Sequence, residues 1–356
     1  MKYIDRYLRY PLHCIIPPHM TDAIKMRGDS KQKEMAIELN NEGIQFREER
    51  QVAAPPTAFM AAPLVETGAL PQLDRKVYDC QSKATLPGKL VRKEGAPPSG
   101  DQQVDESYDG AGDTYDLYFN EYNRDSLDGQ GMKLVSSVHY RRKHNNAYWN
   151  GSQMLYGDGD GIIFNPLTSD LAVIGHELSH GVVQFSGGLV YRDQSGALNE
   201  HYADVFGVLT KQYKQDQEVS QADWLIGAGI LGAEINGEAL RSMRAPGTAY
   251  NDSLIGKDPQ PYHMDDYVVT QSDNGGVHIN SGIPNHAFYL VAVMLGGKAW
   301  EKAGHIWYNT LQKINNPHAK FMDWAEETIE QARDLYNAGS KEAILTRRAW
   351  KLVGVL

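Results

Sequence analysis

The stretch SDLAVIGHELSHGVV, residues 169–183, decides how the rest of the chain is interpreted. It opens with Ser169 and Asp170, two favourable helix N-cap residues, and its apolar residues recur at helical spacing. The glycine pair at 187–188 is typical of the end of a helix. The pattern therefore predicts one amphipathic helix between the cap and the glycine pair.

Two histidines four positions apart lie on one face of a helix, so His176 and His180 can bind the same metal ion. Glu177 points about 100° away from His176. Its carboxylate can therefore stand beside the ion without becoming a ligand. Two neutral imidazoles and one carboxylate leave a fourth position for water, and this ligand set favours Zn²⁺.

The third ligand is expected on a second helical run, residues 198–213. Glu200 lies twenty residues after His180 and can complete the zinc shell. Asp204, one turn further on, can accept a hydrogen bond from a zinc-bound histidine and so fix its tautomer. A bare HExxH match can also be an exposed charged face of a helix, but the sequence GALNE with Asp204 favours the metal site.

A third segment, DNGGVHINSG at residues 273–282, interrupts the helical C-terminal half. It places His278 just after a Gly-Gly turn, where Asp273 can orient the ring. An imidazolium held beside a zinc site can stabilise a developing oxyanion. A lone histidine is more often a structural residue, but the rigid turn and the preceding carboxylate favour a catalytic role here.

The composition is that of a globular protein long enough for two domains. The formal net charge of −10 argues against nucleic acid or an anionic membrane as a partner. No apolar run is long enough for a transmembrane helix, and residues 1–20 lack the apolar core of a signal peptide. We therefore expect a monomer that is cytoplasmic as synthesised, or that is released by a signal-independent route.

Changes in composition divide the chain into pieces. Residues 1–50 combine an apolar patch with a charged helix from Asp22 to Arg50, and residues 51–74 form a linker rich in small residues and proline that a protease could reach. Short strands are predicted at residues 76–80, 89–92, 116–119 and 133–140, although 115–122 could equally be helical. After residue 188 the pattern is mostly helical.

Two further stretches leave alternatives open. Residues 146–150, NAYWN, are typical either of an exposed edge strand that pairs with an extended peptide or of a turn before a core strand. Residues 157–161, GDGDG, lack the glutamate of a calcium-binding EF-hand loop, so a tight turn is favoured.

Several motifs in fixed order resemble the thermolysin family of zinc endopeptidases. They are HELSH at 176–180, GALNE at 196–200 with Asp204, DNGGVHINSG at 273–282, SSVHY at 136–140, NAYWNGSQM at 146–154 and YGDGDG at 156–161. The resemblance covers residues 75–356 and implies an α+β, two-domain fold. A β-rich N-terminal domain (75–188) would end in the zinc-binding helix, and a helical C-terminal domain (189–356) would complete the cleft that holds the active site.

The resemblance also implies a role for each site residue. His176, His180 and Glu200 would bind zinc, with Glu177 as general base and Asp204 as the partner of His176. Tyr191 and His278 would bind the tetrahedral oxyanion, with Asp273 holding His278. Asn146, Ala147 and Arg241 would bind the substrate backbone. Phe164, Leu167, Val173 and Leu240 would line the pocket for the residue after the cut, so the family's preference for bulky apolar residues there is expected.

The N-terminal piece, with no signal peptide, resembles the compact propeptide of the protealysin branch, which surrounds a Pro-Pro motif. By this resemblance residues 1–50 would inhibit their own active site until the linker is cut, with Cys14, Pro17 and Pro18 as inhibitory candidates. The Cys14 thiolate could bind the zinc ion. The plainer alternative, a small apolar contact, is favoured.

Departures from the family pattern concern calcium. Acidic residues that bind a pair of calcium ions in thermolysin are matched here by Ala172 and Lys211. A lysine ammonium can replace a cation among carboxylates, so the paired calcium site is expected to be absent. A single Ca²⁺ elsewhere stays open, because residues 101–113 and 125–128 are acidic and resemble loops.

Two alternatives to an endopeptidase remain. An aminopeptidase also uses HExxH with a downstream glutamate, but it would need acidic residues beside Asn146 and Ala147 to bind a free amine. A catalytically silent binding module on the same scaffold would not need Glu177, Tyr191 and His278. Peptides and proteins are therefore the expected substrates, with the chain's own propeptide as an intramolecular inhibitor.

Overall fold

The computed structural model describes residues 13–52 and 73–356. The predicted linker, residues 51–74, lies for the most part outside these ranges. Within them, no helix combines the length and the apolar character that crossing a bilayer requires.

A six-stranded mixed sheet forms the framework of the N-terminal half. Its strands are β1 (His13–Cys14), β2 (Arg75–Asp79), β3 (Lys89–Lys93), β4 (Leu134–Val138), β5 (Ala147–Trp149) and β6 (Met154–Tyr156), in the order β1-β5-β6-β4-β2-β3. The pairs β2–β4 and β4–β6 are parallel, and the other pairs are antiparallel. The predicted strands at 76–80, 89–92 and 133–140 are thus confirmed. NAYWN contains β5, whose outer edge pairs with β1 from the N-terminal piece.

Of the two alternatives for residues 115–122 the helix is confirmed, because these residues lie in helix α3 (Gln102–Tyr122) and not in a strand. The Asp101 side chain caps the helix by accepting hydrogen bonds from the backbone N–H groups of Gln103 and Val104. The buried face is lined at helical spacing by Val104, Tyr108, Ala111, Tyr115, Tyr118 and Tyr122. The acidic segment 101–113 is therefore the cap and first half of a helix, and not a loop.

The N-terminal piece contains two helices, α1 (Pro18–Arg27) and α2 (Ser30–Val52), so the helical segment predicted from Asp22 to Arg50 is confirmed apart from a break at residues 28–29. Helix α1 ends at Arg27, and Gly28 follows it in an extended conformation in which a Cβ would lie 2.7 Å from the carbonyl oxygen of Ile24, so glycine suits this position. Asp29 then starts α2 by accepting hydrogen bonds from the backbone N–H groups of Lys31 and Gln32. Apolar residues of the piece share one buried core with the rest of the protein: Ile15, Ile16, Met20, Ile24 and Ala36.

The remaining helices build the C-terminal half and border the site. They are α4 (Leu171–Gln184), α5 (Asp193–Lys214), α6 (Asp273–Asn280), α7 (Gly282–Leu295), α8 (Ala303–Lys313), α9 (Phe321–Tyr336) and α10 (Lys341–Leu352). Short strand pairs, β7 (Leu225–Ile226) with β8 (Arg241–Ser242) and β9 (Asn251–Asp252) with β10 (Gly256–Lys257), connect α5 to α6.

Helices α4 and α5 pack closely enough for their side chains to meet. Asp170 caps α4 as predicted, its side chain accepting a hydrogen bond from the N–H of Ala172, but the helix ends at Gln184, before the glycine pair. Gly207 of α5 permits the contact, because a Cβ there would lie 2.4 Å from the carbonyl oxygen of Ala172. The predicted second run, 198–213, begins five residues earlier than expected.

Candidate metal centre and active site

Three buried side chains from α4 and α5 converge on one point. His176 Nε2 lies 3.0 Å from His180 Nε2 and 3.6 Å from Glu200 Oε2, and His180 Nε2 lies 3.5 Å from Glu200 Oε1. A tetrahedral zinc site with bonds of about 2.0–2.1 Å has edges of about 3.3 Å. The three donors therefore already stand at the spacing of three corners of such a site.

Polar contacts behind the two rings fix their tautomers. His176 Nδ1 lies 2.8 Å from Asp204 Oδ1, and His180 Nδ1 lies 2.9 Å from Asn199 Oδ1. Both oxygens can only accept, so each Nδ1 carries the proton and each Nε2 presents a lone pair. Two lone pairs facing each other at 3.0 Å repel unless a cation lies between them. The donor set therefore fits a metal ion.

Two buried carboxylate oxygens border the same point. Glu200 Oε2 and Glu177 Oε1 have no hydrogen-bond partner among the described residues, although both side chains are fully buried. The other oxygen of Glu177 accepts a hydrogen bond of 2.9 Å from the backbone N–H of Trp149 in β5. Burial, reinforced by the charge of Glu200, raises the pKa of Glu177 well above its usual value. Glu177 thus presents one oxygen without a hydrogen-bond partner among the described residues beside the ligands.

A second pair of polar groups faces the ligands from α6. The backbone at residues 273–276 has positive φ, which lets Asp273 turn back onto His278. Asp273 Oδ1 lies 2.6 Å from His278 Nδ1, and the hydroxyl of Tyr191 lies 3.2 Å from His278 Nε2. Burial opposes the imidazolium, but the charges of Asp273 and Glu200 outweigh it and raise the pKa of His278 to about 9. Tyr191 also donates a hydrogen bond to Glu200.

Arg241 connects the metal ligands to the N-terminal piece. Its Nε and Nη2 atoms donate to the Asp204 carboxylate at 2.8–3.1 Å in a fully buried ion pair. Although burial disfavours the charge, Arg241 and His176 hold the pKa of Asp204 below its usual value. The third nitrogen, Nη1, donates to the carbonyl oxygen of Ile15 at 3.4 Å.

The N-terminal piece runs through the site from the end of β1 (His13–Cys14) through residues 15 and 16. The N–H of Ile15 donates to the carbonyl of Ala147, and the N–H of Ile16 donates to Asn146 Oδ1 at 3.1 Å. His278 Nε2 lies 3.1 Å from the carbonyl oxygen of Cys14. Residues 14–16 therefore occupy the groups predicted to bind the substrate backbone and its oxyanion.

The structure favours the plainer role for Cys14. Among the described residues, the one group of three His, Cys, Asp or Glu side chains able to share an ion is His176, His180 and Glu200. Cys14 is not a member of it, and its Sγ lies 3.5 Å from the carbonyl oxygen of Ile16. Pro17 is buried, and Pro18 begins α1.

The predicted specificity pocket lies in the interior. Its four residues, Phe164, Leu167, Val173 and Leu240, are almost completely buried and belong to the same apolar cluster as Ile15. An apolar side chain at position 15 is thus seated among apolar neighbours.

The residues considered for calcium make other contacts. Ala172 is buried in α4, and Lys211 Nζ donates to Asp223 at 2.6 Å. In the acidic segment 125–128, Asp125 accepts from the hydroxyl of Tyr115. Asp128 accepts from the backbone N–H groups of residues 130 and 132.

Several residues of the site were missed from the sequence. Asn199 directly precedes a predicted ligand, so its place on the same helix could have indicated it. The backbone N–H of Trp149 and the side chain of Asn285, which donates to Asp204 at 2.8 Å, give no local signal.

Similarity to known proteins extends over nearly the whole chain. Residues 66–184 match the thermolysin metallopeptidase catalytic domain, and residues 187–355 match the thermolysin metallopeptidase alpha-helical domain. An extracellular metalloprotease of Pectobacterium carotovorum subsp. carotovorum is 46% identical over 97% of this chain and 97% of its own. Protease PrtS of Photorhabdus sp. (strain Az29) is 50% identical over 80% of this chain and 76% of its own.

A solved structure matches in three dimensions. The precursor of protealysin, a metalloproteinase from Serratia proteamaculans, is similar with a TM-score of 0.85 and 46% sequence identity. The match covers 97% of this chain and 100% of that chain. It therefore includes the N-terminal piece as well as both larger domains.

Proposed function

The chain belongs to the thermolysin family of metallopeptidases, and on that premise we propose that it is a zinc-dependent endopeptidase made as an autoinhibited precursor. One observation carries the proposal. Two imidazole lone pairs and a buried carboxylate converge at the spacing of a tetrahedral metal site, with an unpaired Glu177 oxygen beside them.

The ligand set matches zinc better than a hard cation. Two nitrogens and one carboxylate suit zinc, whereas calcium prefers six to eight oxygens. When bound by His176, His180 and Glu200, zinc supplies Lewis acidity to a peptide carbonyl and to water. Proton transfer and stabilisation of the developing charge are carried out by side chains of the protein.

Glu177 acts as the proton carrier. Its second carboxylate oxygen is placed to take a proton from the attacking water and deliver that proton to the leaving amine. The hydrogen bond from the N–H of Trp149 fixes one carboxylate oxygen and leaves the other to face the water. General acid–base catalysis of this kind contributes typically about 10²–10⁴-fold.

His278 and Tyr191 stabilise the developing negative charge. With a pKa of about 9, His278 is protonated at neutral pH and donates from Nε2. The carbonyl oxygen of Cys14, which accepts from that atom at 3.1 Å, marks where the scissile carbonyl of a substrate would lie. Loss of one such donor commonly costs about 3 kcal/mol.

The contacts of residues 14–16 also indicate how the backbone of a substrate would bind. Residues 14–16 trace its path, because Asn146, Ala147 and Arg241 bind peptide N–H and C=O groups, which every substrate carries. A substrate residue at the place of Ile15 would follow the cut and enter the apolar pocket. We therefore expect cleavage before bulky apolar residues, with weak discrimination of about 1–3 kcal/mol per methylene.

Autoinhibition follows from the occupied cleft. Residues 1–50 serve as the propeptide and 51–74 as the processing region, with catalytic domains at 75–188 and 189–356. A cut within 51–74 would free the propeptide to leave. The name of the Pectobacterium relative, an extracellular metalloprotease, favours action outside the cell.

The paired calcium site of the family is expected to be absent from this chain, whereas a single Ca²⁺ elsewhere stays open. The ion pair between Lys211 and Asp223 supports a fold that dispenses with the paired site. Calcium titration of the metal-depleted protein by calorimetry should therefore find at most one bound Ca²⁺ per chain. Binding of two or more Ca²⁺ ions would contradict this part of the proposal.

A blocked peptide tests the proposal directly. The full-length protein is incubated until the processing region is cut, and hydrolysis of a fluorogenic peptide, blocked at both ends and containing an internal leucine, is then measured. We expect activity that zinc chelation abolishes, that added zinc restores, and that Glu177→Ala lacks. The exposed Glu234→Ala variant is the control and should retain activity.

Each alternative predicts another result. An aminopeptidase would require a free N-terminus and would leave the blocked peptide intact. A silent binding module would cut neither the blocked peptide nor a peptide with a free N-terminus. Either result would overturn the endopeptidase assignment.

A further inference from the structure

A chain of three buried hydrogen bonds and one buried ion-pair contact runs from the C-terminal core to a metal ligand. Trp307 Nε1 donates to His201 Nε2 at 2.6 Å, and His201 Nδ1 lies 2.7 Å from Asn285 Oδ1. Asn285 Nδ2 donates to Asp204 Oδ2 at 2.8 Å, and Asp204 Oδ1 lies 2.8 Å from His176 Nδ1. These side chains are at most 1% exposed.

The order of donors and acceptors in this chain has one solution. An indole N–H can only donate, so His201 Nε2 must accept and His201 Nδ1 must carry the proton. That proton fixes Asn285 with its oxygen towards His201 and its NH₂ group towards Asp204. The Asp204 carboxylate accepts, so His176 holds its proton on Nδ1 and directs the Nε2 lone pair at the metal point.

Packing holds each ring in place. The rings of Trp307 and Trp324 both lie edge-on to His201 with centroids 6.2 Å away. Phe288 packs against Trp307 at 5.0 Å. Because the indole N–H of Trp307 points at His201 Nε2, that nitrogen carries no proton and the ring keeps the donor and acceptor roles described above.

We propose that Trp307, His201 and Asn285 are positioning residues that fix the Asp204 carboxylate and thereby the metal-binding tautomer of His176. The inference rests on the proposed function, since it assigns these residues to the zinc site. Partners that orient a ligating histidine typically raise metal affinity about 10–100-fold. A merely structural role for the three residues would not change metal affinity.

The chain offers a matched control for this claim. Trp324 is fully buried and its ring packs edge-on against His201, as that of Trp307 does. Its Nε1 atom, however, has no hydrogen-bond partner among the described residues. Trp307→Phe removes the donor at the start of the hydrogen-bond chain. Trp324→Phe removes a comparable buried indole and no hydrogen bond of that chain.

The test measures zinc affinity of the full-length protein by chelator competition, in a Glu177→Ala background that prevents self-cleavage. We expect Trp307→Phe to weaken binding about tenfold. Trp324→Phe should lower the melting temperature about as much as Trp307→Phe does. Its zinc affinity should stay within about twofold of that of the parent protein. Equal affinities of the two variants would overturn the inference.

A second pair of variants guards against misfolding. His201→Gln can still accept from Trp307 and donate to Asn285, whereas His201→Met has a similar shape and can do neither strongly. We expect His201→Gln to retain the greater zinc affinity, by roughly tenfold. Equal affinities would contradict the inference.

Failure of the proposed function would look different. The metal site itself would be wrong if the parent protein bound no zinc, or if His176→Ala did not remove the zinc that it bound. If the parent bound zinc normally and only the Trp307 and Trp324 variants failed to differ, the inference alone would fail.

Discussion

The metal centre and the N-terminal piece meet at the same catalytic groups, yet they are held by different forces. The centre is built from ionisable side chains on α4 and α5 that are completely buried and fixed by further hydrogen bonds. Residues 14–16 of the N-terminal piece are held by backbone hydrogen bonds and by apolar burial. The centre therefore specifies chemistry, while the piece uses contacts that any extended peptide can make.

The largest effect is expected where both regions depend on one residue. Arg241→Leu leaves the buried Asp204 carboxylate without its ion-pair partner and removes the contact to Ile15. Breaking one side of a buried ion pair costs about 3–5 kcal/mol. Chemical denaturation of the full-length protein should show a loss of this size. A loss below about 1 kcal/mol would mean that the pair is not needed to hold the centre.

His278 separates chemistry from docking. His278→Asn removes a donor to the oxyanion position and should lower kcat/KM of the processed enzyme roughly 10²-fold. This corresponds to about 3 kcal/mol of transition-state stabilisation. Because only one of its contacts reaches residue 14, docking of the N-terminal piece should change little. Steady-state kinetics on the blocked peptide check the first part. Unchanged kcat/KM would remove His278 from the mechanism.

Ile15 tests the docking side of the comparison. Ile15→Ala removes a fully buried side chain, and such truncations cost about 2 kcal/mol or more. In the Glu177→Ala background, a zinc-binding peptide inhibitor should then enter the cleft at least tenfold more readily. Met26→Ala, which changes an exposed side chain of α1, is the control. Equal inhibitor binding by both variants would show that Ile15 does not secure the piece.

The smallest expected effect is the pH dependence of docking by the N-terminal piece. His19 Nε2 lies 2.8 Å from the hydroxyl of Tyr250, and burial lowers the pKa of His19 to about 4. The released piece would have its ordinary pKa of about 6.5, so docking is fully stabilised above pH 6.5 and weakens as the pH falls towards 4.

A single proton changes the release equilibrium by up to about tenfold per pH unit. Inhibitor access to the cleft should therefore rise between pH 6.5 and pH 5 in the parent protein, and should rise less in His19→Gln. Parallel pH profiles for the two proteins would exclude His19 as the cause.

The same difference between the regions explains what the sequence could predict. His176, His180, Glu200 and Asp204 were predictable because each pair is spaced by one helical turn, and helix geometry alone brings its members to one face. The linked pair Asp273 and His278 lies within one short turn and was also predictable.

The remaining contacts depend on residues far apart in the chain. Ile16 meets Asn146 across 130 positions, Arg241 meets Ile15 across 226, and Trp307 meets His201 across 106. No local pattern encodes such pairs. Residues 116–119 fitted both a strand and a helix because four residues are too few to show a period, whereas the buried face appears only over the full length of α3.

X-ray absorption at the zinc edge of the full-length Glu177→Ala protein tests the central claim most directly. One zinc ion per chain is predicted, with two imidazole nitrogens at about 2.0–2.1 Å, a carboxylate oxygen at about 2.0–2.2 Å and no sulfur neighbour. A sulfur ligand at about 2.3 Å would place the Cys14 thiolate on the metal and contradict the division between centre and N-terminal piece. Absence of bound zinc in zinc-replete protein would contradict the centre itself.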